Sequence, residues 1–564
     1  MPELLTPATL YIAAAILLPF LPKGLLRQIV CVLVPFAGVA VFWSLPPGTY
    51  SSFNLMGLHV GLMQIDDLSR IFGLIFSIAA VLAAIYAWHV RDTIQQVAGL
   101  LYAGSAIGAV FAADLVSLFV FWEGTAIASV FLIWARRTEG AYAAGMRYLI
   151  VQISSGVVLM AGVILLYRET GSVAFGAMEL GSLATWMIFI AFGVKCAFPL
   201  LHNWMHDAYP SATVSGTVIL SVFTTKLAVY ALLRGFPGTE LLIYIGAAMA
   251  LFPVFFALLE NDLRRVLTYS LNSQLGFMVV GAGIGTPLAI NGAVAHAICS
   301  ILYQALLFMS IGAVLYRTGT ARASALGGLY RTMPLTMFFC LLGGASISAF
   351  PLLSGFVSKS LILSASGYEE YFYVWLILLF ASIGAFVHTG LRLPWLAFFG
   401  SDSGKRPKEA PAHMNLAMGL TALLCAGIGG FPAVLYGLLP NDVAYEPYTL
   451  SHIVTQLQLL AFVALGFAMC VRFGLLAKPE RGILLDSDWI YRKFFFALTI
   501  GLYRLVNGTW KFSSRITLAR LDRFIAAIYR THGPQGPLAR TWPTGSMVLW
   551  MAVLLGMTLV LAYI

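Results

Sequence analysis

Apolar segments of about 20 residues recur along nearly the whole chain, and each is long enough to cross the hydrocarbon core of a bilayer. A backbone inside a bilayer must satisfy its own hydrogen bonds, which an α-helix does within one segment. The segments are continuously apolar rather than alternating, so transmembrane β-strands are excluded. Because only 10% of the residues are charged, a soluble globular fold is excluded as well. The sequence therefore predicts an all-α polytopic membrane protein.

About sixteen segments fit this pattern, and the basic residues between them predict their orientation. The segments begin near residues 4, 26, 67, 95, 114, 147, 180, 212, 240, 266, 290, 333, 373, 412, 453 and 544. Lys and Arg cluster in alternate connections, whereas the connections 45–65 and 431–452 contain none. Since basic connections stay in the cytoplasm, both termini are expected on the opposite side. Residues 1–22 carry no basic stretch ahead of their apolar run, which favours a retained first helix over a signal peptide.

The segment 471–540 has a different composition, with twelve Lys or Arg, four Asp or Glu and interleaved aromatic residues. Basic and aromatic residues also alternate in proteins that bind single-stranded nucleic acid. An amphipathic helix along the cytoplasmic membrane surface is the better interpretation, because aromatic rings favour the interface and cations favour the headgroups. We therefore predict no nucleic-acid partner, and a last crossing helix after this segment.

A short internal repeat divides the chain. Ala197-Phe198-Pro199-Leu200-Leu201 recurs as Ala349-Phe350-Pro351-Leu352-Leu353, five predicted spans later. An odd number of spans between copies gives them opposite topology, as in transporters that place ion sites at interrupted helices. We therefore predict inverted five-helix repeats. The predicted regions are N-terminal helices (1–90), a first repeat (91–235), a second repeat (236–400), C-terminal core helices (401–476), a basic surface segment (477–540) and a terminal helix (541–564).

Ionisable side chains inside the predicted spans are the strongest functional signal. A charge at the centre of a membrane-spanning helix costs at least about 2.5–3.5 kcal/mol, so such residues are rarely accidental. The residues are Glu123, Lys195, Lys226, His296, Lys359, His388 and Arg392, with Lys359 expected at the end of the twelfth span.

Glu123 lies in the middle of the fifth span, where so short a side chain cannot reach the membrane surface. It needs a partner, and Lys195 in the seventh span is the predicted one. Pro199 leaves the carbonyl of Lys195 without its helical hydrogen bond, which loosens the helix and creates a polar pocket beside the ammonium group. A buried lysine exchanges its proton readily, although a static ion pair between two helices is the alternative.

His296, Ser300 and Gln304 share one face of the eleventh span, because they are spaced four residues apart. This polar stripe predicts a path for water through the middle of the protein. His296 is the member of the stripe that titrates near neutral pH.

Other residues have simpler interpretations. Lys226 has hydroxyl neighbours in Thr224 and Thr225, so it could also be a satisfied core lysine. His202 and His206 have the spacing of a metal pair, but no further ligand lies close in the sequence. Gly-rich phosphate loops and Cys-x-x-Cys pairs do not occur, and the six cysteines lie singly in apolar segments. We predict no metal, no cofactor and no catalytic chemistry on this chain.

Several motifs occur in the order of a known family. They are Asp114 ahead of Phe119-Val120-Phe121-Trp122-Glu123, then Gly193-Val194-Lys195 with Pro199, His202-Asn203-Trp204 and Asp207-Ala208-Tyr209-Pro210, Thr225-Lys226, Asn261-Asp262-Leu263-Arg264-Arg265, Ser273-Gln274-Leu275-Gly276, His296, and Gly355-Phe356-Val357-Ser358-Lys359. Over residues 65–400 the chain resembles the proton-conducting subunits shared by respiratory complex I, membrane-bound hydrogenases and Mrp antiporters. The tail, with Asp488-Trp489-Ile490-Tyr491-Arg492, resembles the long D-type subunits of Mrp antiporters.

The resemblance implies a role for each matched residue. Glu123 and Lys195 would form a coupling ion pair whose opening releases the proton of Lys195. Lys226 would pass protons to a central water chain that includes His296, and Lys359 would be the distal exit. Asp114, Ser300, His388 and Arg392 are second-line candidates.

The chain departs from the family pattern in the eleventh span. The family has a second histidine and a lysine there, whereas this chain has Ser300 and Gln304. A glutamine binds water but stores no proton. The expectation is therefore conduction through water alone, weak conduction, or a specialised role.

The resemblance leaves several functions open. The first is a Na⁺ or K⁺/H⁺ antiporter subunit that works with other membrane subunits in the bacterial cytoplasmic (inner) membrane. The second is a proton-pumping subunit of an NADH dehydrogenase or hydrogenase-like complex. The third is the membrane subunit of an inorganic carbon uptake system, and the fourth is a scaffold without transport.

Overall fold

The computed structural model describes residues 6–55, 57–442, 444–475, 486–487, 489–537 and 543–563. The chain divides into two compact units, Met1–Leu484 and Leu485–Ile564. Of the structure, 77% is helical. Twelve of the described helices have the length and apolar composition of membrane spans, and three shorter helices are also apolar. The protein is thus an all-α polytopic membrane protein, as the sequence predicts.

The first unit begins with helices that precede the predicted repeats. Two of them, α1 (Pro7–Leu17) and α2 (Leu25–Trp43), are followed by the strands β1 (Gly48–Leu55) and β2 (Leu58–Ile65) and by α3 (Asp67–Tyr86). The strands form an antiparallel hairpin in which Gly48 pairs with Ile65. The sequence predicts a plain connection here, because the hairpin carries no clear alternation of apolar and polar residues.

The helices that follow make up most of the first unit. They are α4 (Thr93–Phe111), α5 (Leu115–Trp134), α6 (Glu139–Thr170), α7 (Leu183–Cys196), α8 (Asn203–Ser211), α9 (Val214–Val222), α10 (Thr224–Gly235), α11 (Glu240–Leu259), α12 (Leu263–Ile284), α13 (Pro287–Thr318), α14 (Pro334–Ile347), α15 (Ser354–Tyr368), α16 (Phe372–Ala385), α17 (Ala412–Gly430), α18 (Pro432–Tyr436) and α19 (Leu450–Arg472). After α16 the chain continues in π-helical turns, Phe386–Arg392 and Trp395–Phe399.

The segments α4–α8 and α11–α15 follow the same plan. In both, a helix capped by an aspartate is followed by a helix of 32 residues and then by one of 14 residues. The capping residue pairs with the connection after the long helix in both cases, as Asp114 with Ala174 and as Asp262 with Arg322. These parallels extend the five-residue sequence repeat over a series of helices. Their opposite orientation in the membrane stays a prediction.

Both copies of the repeated sequence break a helix. Ala197 and Leu200 have φ angles of 63° and 70°, and Ala349 and Leu352 have 57° and 70°. The left-handed conformation ends α7 and α14, and the chain resumes as α8 and α15. Pro199 therefore accompanies a complete break rather than a loosened turn. The second break also corrects the position of Lys359, which lies inside α15 and not at the end of the span that begins near residue 333.

The second unit contains π-helical turns (Ile490–Phe495), α20 (Phe496–His532) and α21 (Thr544–Tyr563). The segment predicted to lie on the membrane surface contains the 37-residue helix α20, whose place at the membrane stays a prediction, and α21 has the length and composition of the predicted last span. Residues 476–485, 488 and 538–542 of the predicted regions lie outside the described residues, as do residues 1–5 of the predicted first span. A described helix begins near each of the other predicted span starts, but the count of sixteen crossings stays a prediction.

Candidate functional site

Lys195 is fully buried in the last turn of α7, where its side chain crosses to α5. The Nζ atom donates hydrogen bonds to the backbone carbonyl of Trp122 and, at 2.8 Å, to Thr125 Oγ1. It also lies 4.3 Å from the centre of the Trp122 ring, within the range of a cation–π interaction. The ammonium group is therefore held by neutral acceptors and an aromatic face.

Glu123, the predicted partner of Lys195, points toward α6. A Cβ atom placed on Gly156 would lie 1.5 Å from Glu123 Oε1, so the carboxylate occupies the space that the glycine leaves open. Among the described residues this oxygen has no hydrogen-bond partner, and Glu123 and Lys195 form no ion pair at contact distance. Their charges still act on each other across the gap. The structure thus brings the two residues near each other without the direct contact that the sequence suggests.

Lys226 lies where α9 meets α10. The helical path is interrupted at Phe223, and Lys226 Nζ donates to the carbonyl of Ser221 at 2.9 Å. A cation at a helix C-terminus is favoured by the helix dipole. Thr225 Oγ1 is buried and has no partner among the described residues, whereas the Thr224 hydroxyl lies 2.5 Å from Tyr102 OH.

His296 sits in the middle of α13 and is fully buried. Its Nδ1 lies 3.0 Å from Ser358 Oγ, and its Nε2 lies 3.4 Å from Tyr303 OH. The Tyr303 hydroxyl donates onward to Gln274 Oε1 at 3.2 Å. The histidine therefore joins α12, α13 and α15 in one polar network.

Buried amide groups surround this network and lack protein partners. Both amide atoms of Gln304 and of Asn272 make no hydrogen bond among the described residues, and neither does Gln274 Nε2. Buried polar atoms in a native interior bind protein groups or ordered water. Ser300 differs, because its hydroxyl donates to the carbonyl of Ala297 in its own helix. The middle of the bundle thus contains buried amide atoms, those of Gln304 among them, that are not paired among the described residues.

Lys359 is bound in a similar way to Lys226. Its Nζ donates to the carbonyl of Ile347 at 2.6 Å and to Ser382 Oγ at 3.2 Å. Ile347 is the last residue of α14, so its carbonyl is one that the helix break leaves free. Nζ also lies 5.1 Å from the centre of the Phe277 ring.

His296 and His388 both lie within electrostatic reach of buried cations. The charges of both Lys226 and Lys359 act on His296, and those of Lys359 and Arg392 act on His388. His388 Nδ1 lies 2.7 Å from Thr389 Oγ1, and Arg392 donates to the carbonyl of Glu260 at 3.4 Å. His388 and Arg392 both lie within the π-helical turns Phe386–Arg392 that follow α16.

The contacts of Asp114 indicate a structural role. Its carboxylate accepts hydrogen bonds from the backbone N–H groups of Gly61, Val116 and Ser117, at 2.8, 2.9 and 2.8 Å, and from the Ser117 hydroxyl at 2.8 Å. Asp114 therefore caps α5 and ties the β-hairpin to this helix.

His206 makes an aromatic packing contact. Its ring stacks on the ring of Tyr269, with ring centres 3.8 Å apart.

Several participants cannot be singled out from the sequence. The Trp122 carbonyl and the side chains of Thr125, Tyr303, Ser358 and Ser382 all contact predicted site residues. A backbone carbonyl carries no sequence signal, and hydroxyl residues are frequent in membrane helices. Only their position after folding distinguishes them.

Comparisons with known proteins identify related membrane subunits. Residues 112–386 match the family model described as NADH:quinone oxidoreductase/Mrp antiporter, TM. Hydrogenase-4 component B of Escherichia coli (strain K12) is 27% identical over 464 residues, 72% of this chain and 66% of that protein. The D-type subunit of the Na⁺/H⁺ antiporter of Alkalihalophilus pseudofirmus is 29% identical over 376 residues, 60% of this chain and 73% of that protein.

A solved structure shows the same fold. The Mrp complex from Dietzia sp. DQ12-45-1b contains a chain that superposes with a TM-score of 0.68 at 20% identity, over 76% of this chain and 94% of that one. The matched family segment contains Glu123, Lys195, Lys226, His296 and Lys359. The chain belongs to the family of antiporter-like membrane subunits that NADH:quinone oxidoreductases and Mrp antiporters share.

Proposed function

We propose that this chain is the proton-translocating subunit of a multi-subunit monovalent cation/proton antiporter that exchanges Na⁺ or K⁺ for H⁺. The observation that carries the proposal is the series of buried titratable groups from α7 to α15, Lys195, Lys226, His296 and Lys359. A cation buried inside a membrane protein is costly and is characteristic of ion pathways. The similarity to a D-type antiporter subunit supports the antiporter.

The lysines perform the transfer in this proposal. Each ammonium group donates to neutral oxygens, so it can lose a proton without leaving a carboxylate unpaired. A carboxylate that approaches an ammonium group stabilises its protonated form, and a carboxylate that retreats favours proton release. Movement of Glu123 between Gly156 and Lys195 would therefore load and unload Lys195. His296 and water beside Gln304 would carry the proton between Lys226 and Lys359.

The surroundings of the chain are part of the proposal. Residues 91–235 and 236–400 would be inverted repeats, and the chain would assemble with other membrane subunits in a bacterial cytoplasmic membrane. The sequence contains no acidic cluster typical of a dedicated Na⁺ site, so we place the cation route on a partner protein.

A second function has its own support. The match to hydrogenase-4 component B points to a proton-pumping membrane subunit of a redox complex, in which other chains carry the redox chemistry. Purification of the tagged chain in mild detergent separates the two functions. Small hydrophobic partners without flavin or iron indicate an antiporter, whereas flavin or iron–sulfur proteins indicate a redox pump.

Replacement of Lys195 tests the role that both functions assign to it. Lys195→Met keeps the length of the side chain and removes the titratable group. We expect it to abolish cation-dependent ΔpH formation in membrane vesicles while the complex still assembles. Lys405→Met, in the connection before α17, is the control and should transport normally. Full transport by Lys195→Met would remove Lys195 from the pathway.

A further inference from the structure

An open groove of about 490 Å³ lies between the turn after α1 and the helices α4 and α5. Its lining is apolar apart from the hydroxyl groups of Thr93 and Ser105. Two of the lining side chains, Ile94 of α4 and Ile127 of α5, are more than half exposed. Because lipid chains are as apolar as such a surface, the lining suits a hydrocarbon occupant.

The length of the groove corresponds to one leaflet of a bilayer. Along α4 it extends from Thr93 to Ser105, and the rise of the helix between these residues is about 18 Å. The hydrocarbon core of a bilayer is about 30 Å thick, so one leaflet contributes about 15 Å. The groove closes where α4 meets α5, because a Cβ atom placed on Gly124 would lie 2.6 Å from Ser105 Oγ. One acyl chain that enters from one side of the membrane therefore fits its length.

The charge pattern of the sequence places the mouth of the groove on the cytoplasmic side. The connections at this end, residues 18–24, 87–92 and 135–138, contain four Lys or Arg, and basic connections stay in the cytoplasm. Their one acidic residue, Asp92, accepts a hydrogen bond from Ile94 N at the start of α4 and pairs with Arg137 at 3.4 Å. The groove therefore begins beneath a surface of net positive charge.

Arg27 adds a buried positive charge at the mouth. Its side chain is buried, Nη1 donates to Thr93 Oγ1 at 2.6 Å, and Nη2 donates to the carbonyl of Pro19 at 2.9 Å. Thr93 and Pro19 both line the groove. The remaining bonds of the guanidinium group go to the carbonyl of Leu21, and no acidic side chain in the part of the chain that the structure describes pairs with Arg27. Because a buried charge without a counter-charge is costly, an anion is favoured here.

We propose that the groove binds one anionic phospholipid of the cytoplasmic leaflet, with an acyl chain between α4 and α5 and its phosphate at Arg27. Guanidinium groups bind phosphate strongly, and basic pockets between membrane helices on the cytoplasmic side bind anionic headgroups. A free phosphate ion would neutralise Arg27 and leave the groove unfilled, and an apolar partner helix would fill the groove without neutralising Arg27. A phospholipid does both. The site is independent of the function proposed above.

Lipid titration of the purified complex tests the site. The complex is washed in detergent to remove loosely bound lipid, and native mass spectrometry then follows the binding of phosphatidylglycerol and of phosphatidylcholine with the same acyl chains. The first phosphatidylglycerol should bind at least about tenfold more tightly than the first phosphatidylcholine, because only the former has a net negative charge. Arg27→Gln should remove most of this preference. Lys405→Met, which removes a cation from the connection before α17, should retain it.

A second variant keeps Arg27 and fills the groove. Val97→Trp places a large ring in the lining and should weaken the binding of both lipids. Val120→Trp is the matched control, because Val120 is an exposed residue of α5 that does not line the groove, and it should bind lipid as the unmodified chain does. Equal affinities of the unmodified complex for the two lipids, or an unchanged preference in Arg27→Gln, would overturn the proposal. So would loss of a partner chain from Val97→Trp with unchanged lipid affinity, which would assign the groove to a partner helix.

Discussion

The buried lysines are bound by backbone carbonyls rather than by acidic side chains. Lys226 Nζ and Lys359 Nζ each contact a carbonyl oxygen near the end of a helix, Ser221 O and Ile347 O. Arginines, which do not release protons in proteins, form ion pairs such as Arg234 with Asp66 and Arg265 with Glu260. The arginines thus form permanent ion pairs. The buried lysines lie at the proposed proton-transfer positions, because the proton affinity of lysine changes readily on burial.

Gly156 determines where the Glu123 carboxylate can lie. In Gly156→Ala the new methyl group would overlap Glu123 Oε1, so the side chain must leave the face of α6. If Glu123 loads and unloads Lys195 by moving, fixing it on one side should reduce vesicle transport at least about tenfold. Gly140→Ala, on the same helix with no neighbouring atoms within 4 Å, is the matched control and should be active. Equal activities would show that the position near Gly156 is not used.

Gln304 tests whether the centre of the bundle conducts through water. Its amide makes no hydrogen bond among the described residues, so Gln304→Leu removes a polar lining while keeping a similar volume. We expect transport to fall several-fold, because the water column is interrupted. The free energy of unfolding should change by less than about 1 kcal/mol, since no protein hydrogen bond is lost.

Ser300→Ala is the control for this variant, because the Ser300 hydroxyl bonds within its own helix. It should transport normally. If Gln304→Leu also transports normally in the same ΔpH assay, the proton does not pass this residue. Gln304 would then not replace the lysine that the family has in this helix.

The helix breaks are the elements that make the site. Phe198 N donates to the carbonyl of Gly193 and Phe350 N to that of Ala345, both at 3.0 Å, so the two helices end in the same way. Each break frees carbonyls in the interior, and Lys359 uses one of them. Breaks at matching positions of α7 and α14 therefore create polar backbone where a continuous helix would offer none.

Glycine substitutions test the strain at these breaks. A residue other than glycine in the left-handed conformation costs about 1–2 kcal/mol. Ala197→Gly and Ala349→Gly should each raise the free energy of unfolding in detergent by about 1 kcal/mol. Ala191→Gly, inside α7, should lower it by about 0.5–1 kcal/mol. A loss of stability in either break variant would mean that the alanine methyl groups contribute more than the strain costs.

The sequence predicts the elements better than their contacts. Hydropathy locates the described helices, because about 20 apolar residues have few other stable forms in a bilayer. The sequence does not predict the β-hairpin, and it places Lys359 in the same span as α14. The composition of a chain segment does not distinguish a plain connection from a hairpin or from a helix break. Buried charges identify Glu123 and Lys195, yet the pairing fails at contact distance. Glu123 depends on the glycine of a third helix, which no pairwise pattern reveals.

At the scale of the whole molecule, the first unit combines two helical series of the same plan with a set of buried titratable groups. The connection after α6 and the connection after α13 have equivalent places in the two series. The first contains no cluster of basic residues, whereas Arg317, Arg322 and Arg331 lie at the second. The positive-inside rule then assigns the two connections to opposite sides of the membrane. Inversion would allow one series to open its half of the path inward and the other outward.

Labelling from each side decides whether the two series are inverted. Ser172 and Ser324 are both exposed, and each lies two residues from a bridged position, Ala174 or Arg322, so Ser172→Cys and Ser324→Cys report on the two connections. With Cys31 and Cys470 replaced by Ala, an impermeant thiol reagent should modify Ser172→Cys in right-side-out vesicles and Ser324→Cys in inverted vesicles. If the reagent modifies both cysteines from the same side of the membrane, the two helical series have the same orientation and are not inverted. A proton entering through one series would then have no mirrored exit through the other, and the axial path from Lys195 to Lys359 would need a different outlet.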